Sequence, residues 1–209
     1  RHDYKVFVFT SAMENEGKTT TAINTALALA KTGKSVLLID ADLRKPSVCK
    51  ELGVSATNDL GLPGVVRGER TLSDSIKYFE KFNLFLLVTS TAIGESAELL
   101  SADEMSDVMD AIRSEFDYII IDLPPVNIVS DAISISSLIS GMIVVIREEY
   151  TEKKELERCF RQLKLSNVNV LGCVMNVAKS GSGSYGKYKK YKKYKYYQSY
   201  QSDPKGAKK

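Results

Sequence analysis

Residues 4–20 read YKVFVFTSAMENEGKTT. Positions 4–9 are rich in β-branched and aromatic side chains and predict a buried strand. A polar loop with one glycine follows at 11–18. Residues 19–32 (TTTAINTALALAKT) then place alanine and leucine at helical spacing, and Gly33 stops the run. A strand, a glycine-bearing loop and a helix, in that order, aim backbone N–H groups and a helix N-terminus at one point, where a phosphate is held. Residues 12–19 (AMENEGKT) carry P-loop spacing, with Ala12 in place of the first glycine. Gly17 lets the backbone come close to the phosphates. Lys18 places a compact charge near the β- and γ-phosphates, and the Thr19 hydroxyl can ligate Mg²⁺. The nucleotide-binding set is therefore Ala12, Met13, Glu14, Asn15, Glu16, Gly17, Lys18, Thr19 and Thr20. The bland alternative is a plain βα turn with an exposed lysine.

Further apolar strands are predicted at 35–40 (SVLLID), 84–89 (LFLLVT), 118–122 (YIIID), 142–147 (MIVVIR) and 168–176 (VNVLGCVMN), with helices over 97–116 and 152–165. Strands that are apolar throughout and alternate with helices imply an α/β fold, a mostly parallel sheet covered on both faces. In such sheets ligands bind beyond the carboxyl ends of the strands. Three chemically loaded segments sit at such ends: the loop after Phe9, the acids Asp40 and Asp42, and Asp122.

Asp40 and Asp42 stand two apart in LLIDADLRKP, so an extended backbone would put them on one face. Carboxylates there can hold Mg²⁺ or accept a proton from an attacking hydroxyl. They can equally cap a helix or pair with Arg44 and Lys45. The run 119–125 (IIIDLPP) resembles a Walker B strand delivering Asp122 to a metal. Together, a phosphate cradle, a lysine and orienting carboxylates are the parts that phosphoryl transfer from ATP requires.

The 209 residues suffice for one α/β domain with a real core, placed at 1–180. No apolar run approaches the roughly 20 residues of a membrane span, and no signal peptide is visible, so a cytoplasmic protein is expected. Cys49, Cys159 and Cys173 match no zinc pattern and are odd in number, which predicts reduced, mostly buried thiols. His2 is the only histidine and sits at position 2, which argues against a histidine base or a histidine-rich metal site. Of 29 basic residues nine fall after position 180, with only one of the 26 acids, Asp203. The body is thus mildly acidic and residues 181–209 strongly basic. This last segment has almost no aliphatic side chains and is expected to be disordered. It holds seven of the eleven tyrosines: Tyr185, Tyr188, Tyr191, Tyr194, Tyr196, Tyr197 and Tyr200.

An extra acid-tipped strand beside Walker A and Walker B segments resembles the bacterial tyrosine kinases of capsule and exopolysaccharide synthesis. EGKTT (16–20) looks like that family's Walker A, LLIDADLRKP like its extra acidic motif, and YIIIDLPPV like its Walker B. The C-terminal tyrosine cluster is similar to the family's autophosphorylation tail, and weaker likeness runs through 61–69 and 97–105. The resemblance implies a P-loop fold related to the ParA/MinD ATPases, with ATP and Mg²⁺ as cofactors. It implies that Lys18 and Thr19 hold phosphate and metal, that Asp40 assists proton removal from tyrosine, and that Asp42 and Asp122 organise the metal. Asn176 stands where related folds contact adenine; a capping role is the alternative. The tail tyrosines would be autophosphorylated, between chains. Implied partners are a membrane-spanning chain-length regulator of the Wzz kind that activates the kinase and holds it at the inner face of the membrane, further copies of the chain, in a ring for some members, and a cognate tyrosine phosphatase. The family often has proline and glycine where this chain has Glu14 and Asn15.

Two other classes compete. A ParA/MinD-type ATPase switch has a second lysine early in its loop, where this chain has Met13. A nucleic-acid or acidic-lipid module would use the Lys/Tyr tail, binding in a salt-dependent way; nucleic acid is not expected as the primary partner.

Overall fold

The computed structural model describes residues 5–55, 61–94, 96–129 and 131–177, the side chains of 131 and 132 excepted. Four apolar runs become central strands: β1 (Val6–Ser11), β2 (Val36–Asp40), β5 (Tyr118–Asp122) and β6 (Gly141–Arg147). β3 (Lys77–Phe79), β4 (Leu84–Leu87) and β7 (Val170–Asn176) complete one sheet, ordered β3-β4-β2-β5-β1-β6-β7. Every pairing is parallel except that of β3 with β4. Val36, Leu37, Leu38 and Ile39 are fully buried, as are Ile119, Ile120 and Ile121, so neither face of these strands meets water. That is the condition under which a strand is apolar throughout rather than alternating.

The helices are α1 (Lys18–Ala30), α2 (Val48–Leu52), α3 (Gly61–Val66), α4 (Leu72–Ser75), α5 (Ser96–Leu100), α6 (Asp103–Glu115), α7 (Asp131–Ser134) and α8 (Lys153–Leu165). α1 buries Ala22, Ile23, Ala26 and Ala30 against the sheet; small side chains allow a close approach. The first strand begins and ends two residues later than predicted. Thr10 and Ser11 still pair with Val144 and Val145 of β6, and the Thr10 hydroxyl donates to the Pro124 carbonyl at 2.7 Å, so polar residues continue the ladder.

Two expectations need correction. The helix predicted over 97–116 is two helices, because Ala102 is extended (φ −67°, ψ 148°) and α6 starts afresh with Asp103 and Glu104 in its first turn. Acids at a helix N-terminus favour that new start. The antiparallel edge strand β3 and the short helices α2 to α4 have no counterpart in the predicted elements; three to six residues are too few to show a period. Residues 178–209, with the seven tail tyrosines, lie outside the described residues. No helix among the described residues is long and apolar enough to cross a membrane.

Candidate nucleotide site

Strand register assembles the site. Asp122 ends β5 directly beside Phe9 of β1 on one side and Asp40 of β2 on the other. The 12–17 loop leaves the same sheet edge and feeds into α1 at Lys18. Asn15 (φ 61°) and Gly17 (φ 90°) are left-handed, which turns the loop back on itself. A Cβ on Gly17 would stand 2.0 Å from Asn176 Nδ2, so both backbone and space demand glycine.

Lys18 Nζ donates to Asp42 Oδ2 at 2.7 Å and lies 3.3 Å from Asp122 Oδ2. Thr19 Oγ1 donates to the same Asp122 oxygen at 2.6 Å and stands 3.2 Å from Ser47 Oγ. Burial alone would lower the affinity of Lys18 for its proton, but Asp122 and Asp42 outweigh it and hold the ammonium above its ordinary value. Burial pushes Asp122 up to about 6; Lys18 and the Thr19 hydroxyl oppose it, while Asp42 adds to it.

Asp40 behaves differently from Asp42. It is fully buried, and its Oδ2 accepts the Ser47 and Val48 N–H groups at 2.9 Å each, capping α2. Its Oδ1 has no partner. The expectation of two carboxylates presented on one face is thereby corrected: Asp42 faces Lys18 and the cavity, whereas Asp40 faces the start of α2. β2 ends at Asp40, and the two carboxylates meet different partners: the Ser47 and Val48 N–H groups for Asp40, the Lys18 ammonium for Asp42.

Burial and then Asp122 lift Asp40 to about 8, against the N–H groups of Val48 and Ser47, which favour the charged form. A carboxyl with a raised folded value keeps its proton on folding. Its stabilising share is complete below the unfolded value of about 3.9 and is lost as pH rises towards 8. Asp40→Asn retains an oxygen for both N–H groups and removes the charge. In chelated, nucleotide-free protein the variant should therefore gain on the wild type between about pH 4 and pH 8. A gain of at least about 1 kcal/mol at pH 8 would raise the melting temperature by about 2–4 °C. Thermal scans at pH 6 and pH 8 check this; a constant or reversed gap would refute it.

A cavity of about 430 Å³ opens over these groups. Of the predicted nucleotide-binding residues, Glu14, Asn15, Gly17, Lys18 and Thr19 line it. Ala12 and Glu16 are buried, the Met13 N–H donates to Glu16, and the Thr20 hydroxyl donates to Glu51 at 2.8 Å. Asn176 Nδ2 donates to the Glu16 carbonyl at 3.0 Å and so rests on the loop. Arg44 and Lys45, read from sequence only as partners for the acids, also line the cavity, and so do Ser47, Glu51, Pro124, Pro125, Ile128 and Arg147, which were not singled out from sequence. For Arg147 no local signal exists, since its contact, the Asn15 carbonyl at 3.1 Å, is 132 residues away.

The volume lies within the range of small-molecule sites. The donor set of Thr19 hydroxyl, Asp42 and Asp122 is all hard oxygen, which fits Mg²⁺. Among the described residues no three or more Asp, Glu, His and Cys side chains converge as a metal cage. A cation here would share its coordination with phosphate and water, as Mg²⁺ commonly does.

A family model described as an AAA domain matches residues 9–172. The tyrosine-protein kinase YwqD of Bacillus subtilis is 34% identical over 84% of this chain and 73% of its own length. The chain belongs to the bacterial tyrosine-protein kinases. CpsD, a tyrosine-protein kinase of Streptococcus pneumoniae, is 35% identical over 82% of this kinase and 75% of its own length. Among solved structures, the VpsO kinase domain superposes with a TM-score of 0.79 at 30% identity, covering 85% of this chain and 86% of that one. The chimerical protein CapA2B2 gives 0.77 at 28%, covering 82% and 75%. MinD of Pyrococcus horikoshii, complexed with Mg-ADP, gives 0.67 at 26%, covering 82% and 69%. The expected α/β P-loop architecture is therefore the one observed, and the kinase shares it with MinD.

Proposed function

We propose that this kinase transfers the γ-phosphoryl group of ATP to tyrosines of its C-terminal cluster, Tyr185 to Tyr200, and so regulates capsular or extracellular polysaccharide synthesis. The observation that carries the reading is that Lys18, Thr19 and Asp42 line one cavity under a P-loop, with buried Asp122 bonded to Lys18 and Thr19. The tyrosine oxygen forms a bond to the γ-phosphorus, the bond to the ADP oxygen breaks, and the phenolic proton leaves to a carboxylate. Asp42, which lines the cavity, is placed to receive it more directly than buried Asp40. Asp40 tunes the site from behind. Lys18 would move from the carboxylates to the phosphates, and Mg²⁺, which Thr19 and Asp122 would hold, would supply charge neutralisation.

The tail supports a protein substrate within the molecule itself, since seven tyrosines in 29 residues exceed anything a spacer needs. Transfer between chains, a membrane-spanning activator that brings the kinase to the inner face of the membrane, and a phosphatase that resets the tail belong to the same reading. Their support is the kinship with CpsD and YwqD. The second reading, an ATPase switch without kinase activity, draws on the likeness to MinD.

Intact-mass spectrometry after incubation with ATP and Mg²⁺ separates the two. Successive phosphate increments mapping to Tyr185–Tyr200 are expected. ATP hydrolysis with no gain in protein mass would favour the switch. To test transfer between chains, an active chain ending at residue 180 should phosphorylate a full-length Lys18→Met chain. A Lys18→Met chain that stays unmodified would show transfer to be within one chain.

A further inference from the structure

The phosphate loop is a short segment with two left-handed residues, and something outside it must hold that shape. Its anchors come mainly from the far side of the sheet. Ser11 Oγ donates to the Met13 carbonyl at 2.6 Å, a local tie. The Met13 N–H donates to Glu16 Oε2 at 2.7 Å. The Thr151 hydroxyl, from the turn between β6 and α8, donates to Glu16 Oε1. Asn176, at the end of β7, donates to the Glu16 carbonyl at 3.0 Å and lies against Gly17. Three groups 3, 135 and 160 residues from Glu16 in the chain thus meet on this one residue.

Glu16 is 1% exposed and does not line the cavity. A buried carboxylate beside an anion site opposes phosphate binding electrostatically, so a role in contacting nucleotide is disfavoured. Burying it is tolerable because both oxygens are hydrogen-bonded. Its acceptance of the Met13 N–H also removes one loop donor from those available to phosphate. What it supplies is shape: the carboxylate bridges the loop to the turn that carries Arg147 and Thr151. The turn is itself fixed, since Thr151 Oγ1 accepts the Arg147 N–H at 2.9 Å and the Arg147 guanidinium sits 4.9 Å from the centre of the Tyr150 ring.

The geometry points to Glu16 as a positioning residue for the nucleotide phosphates, its carboxylate bracing Met13 to Thr151 and so keeping the loop in its binding shape before ATP arrives. This rests on the nucleotide site proposed above. It adds a function for the β6–α8 turn: a force or ligand that moved the turn would loosen the phosphate cradle.

The test is titration of the purified chain with a fluorescent ATP analogue and Mg²⁺, together with hydrogen exchange of residues 13–17. Glu16→Ala should weaken nucleotide binding about tenfold or more, about 1.4 kcal/mol, and speed exchange in the loop. Glu16→Gln keeps an oxygen for Met13 and an amide for Thr151, so it should restore most of both. Thr151→Val, of nearly the same shape, should give an intermediate loss. Combined with Glu16→Ala it should cost less than it does alone, because the Thr151–Glu16 contact is shared and only the Thr151–Arg147 bond is lost anew. A merely structural role would lower the melting temperature of Glu16→Ala while leaving affinity at low temperature and the loop exchange unchanged, and that result would overturn the proposal. So would additive effects of Glu16 and Thr151. A kinase assay is not the readout: tight nucleotide binding without phosphotyrosine would sink the kinase reaction and leave the brace standing, whereas no binding by the wild type would sink both.

Discussion

Lys18→Met is expected to abolish ATP-dependent phosphorylation and to destabilise the nucleotide-free protein as well. The two effects share a cause. Lys18 is the cation that Asp42 and Asp122 both face, at 2.7 and 3.3 Å. In the proposed reaction its charge would lie against the transferring phosphoryl group, and losing one such electrostatic contact costs about 10²–10³ in rate. In the resting protein its removal leaves buried carboxylates uncompensated, a defect that costs about 3–5 kcal/mol when the charge is retained. The carboxyls can escape part of that cost by keeping their protons. Asp122 already sits at about 6 because of burial, held down by Lys18; without the lysine it rises further. A folded value above the unfolded one gives stability that is lost as pH rises. The melting temperature of Lys18→Met should therefore fall further below wild type at pH 8 than at pH 5.5. Phosphate incorporation and thermal scans at the two pH values measure both parts. A variant with wild-type stability at pH 8 would mean that the Lys18–carboxylate contacts contribute nothing in the resting state.

Gly17→Ala is expected to be nearly as damaging, although it adds only a methyl group. The backbone at Gly17 has φ 90° and ψ 26°, where a side chain costs about 1–2 kcal/mol. The new carbon would meet Asn176 Nδ2 at 2.0 Å, so the amide must swing away from the Glu16 carbonyl. That loses a hydrogen bond contributing about 1 kcal/mol. Together the changes approach 2–3 kcal/mol, or about 4–12 °C in melting temperature for a domain of this size. Nucleotide affinity should fall at least tenfold, because the loop turns at Gly17 into α1. Asn176→Ala in the Gly17→Ala background separates the causes. It relieves the collision but not the backbone strain, so partial recovery is expected. Full recovery would place the whole effect in the collision, and no recovery would place it in the backbone.

Both predictions concern residues that were legible in the chain. Gly17, Lys18 and Thr19 follow from motif spacing because the P-loop is a local device: strand, turn and helix start are contiguous, and backbone geometry dictates the residue types. The strand at 118–122 is found at its predicted limits because an uninterrupted apolar run ends in Asp122, and the acid marks the sheet edge. The parallel α/β architecture follows from apolar strands spaced by helices. The break at Ala102 was missed because both halves share one helical pattern, and only the extended Ala102 backbone separates them.

The sequence alone determined the long strands and helices, which loop carries P-loop spacing and which acids sit at strand ends, since these depend on near neighbours in the chain. Tertiary structure decided what each polar group meets. Placing β5 between β1 and β2 set Asp122 beside both Phe9 and Asp40. Folding after β2 turned Asp40 to α2 and Asp42 to Lys18. Pairing β6 and β7 on the other side of β1 carried Thr151 and Asn176 to Glu16. Such contacts depend on the order in which strands cross over, a property of the whole sheet. No local pattern encodes it, because a hydroxyl or amide far away in the chain looks the same whether it ends in solvent or on the phosphate loop.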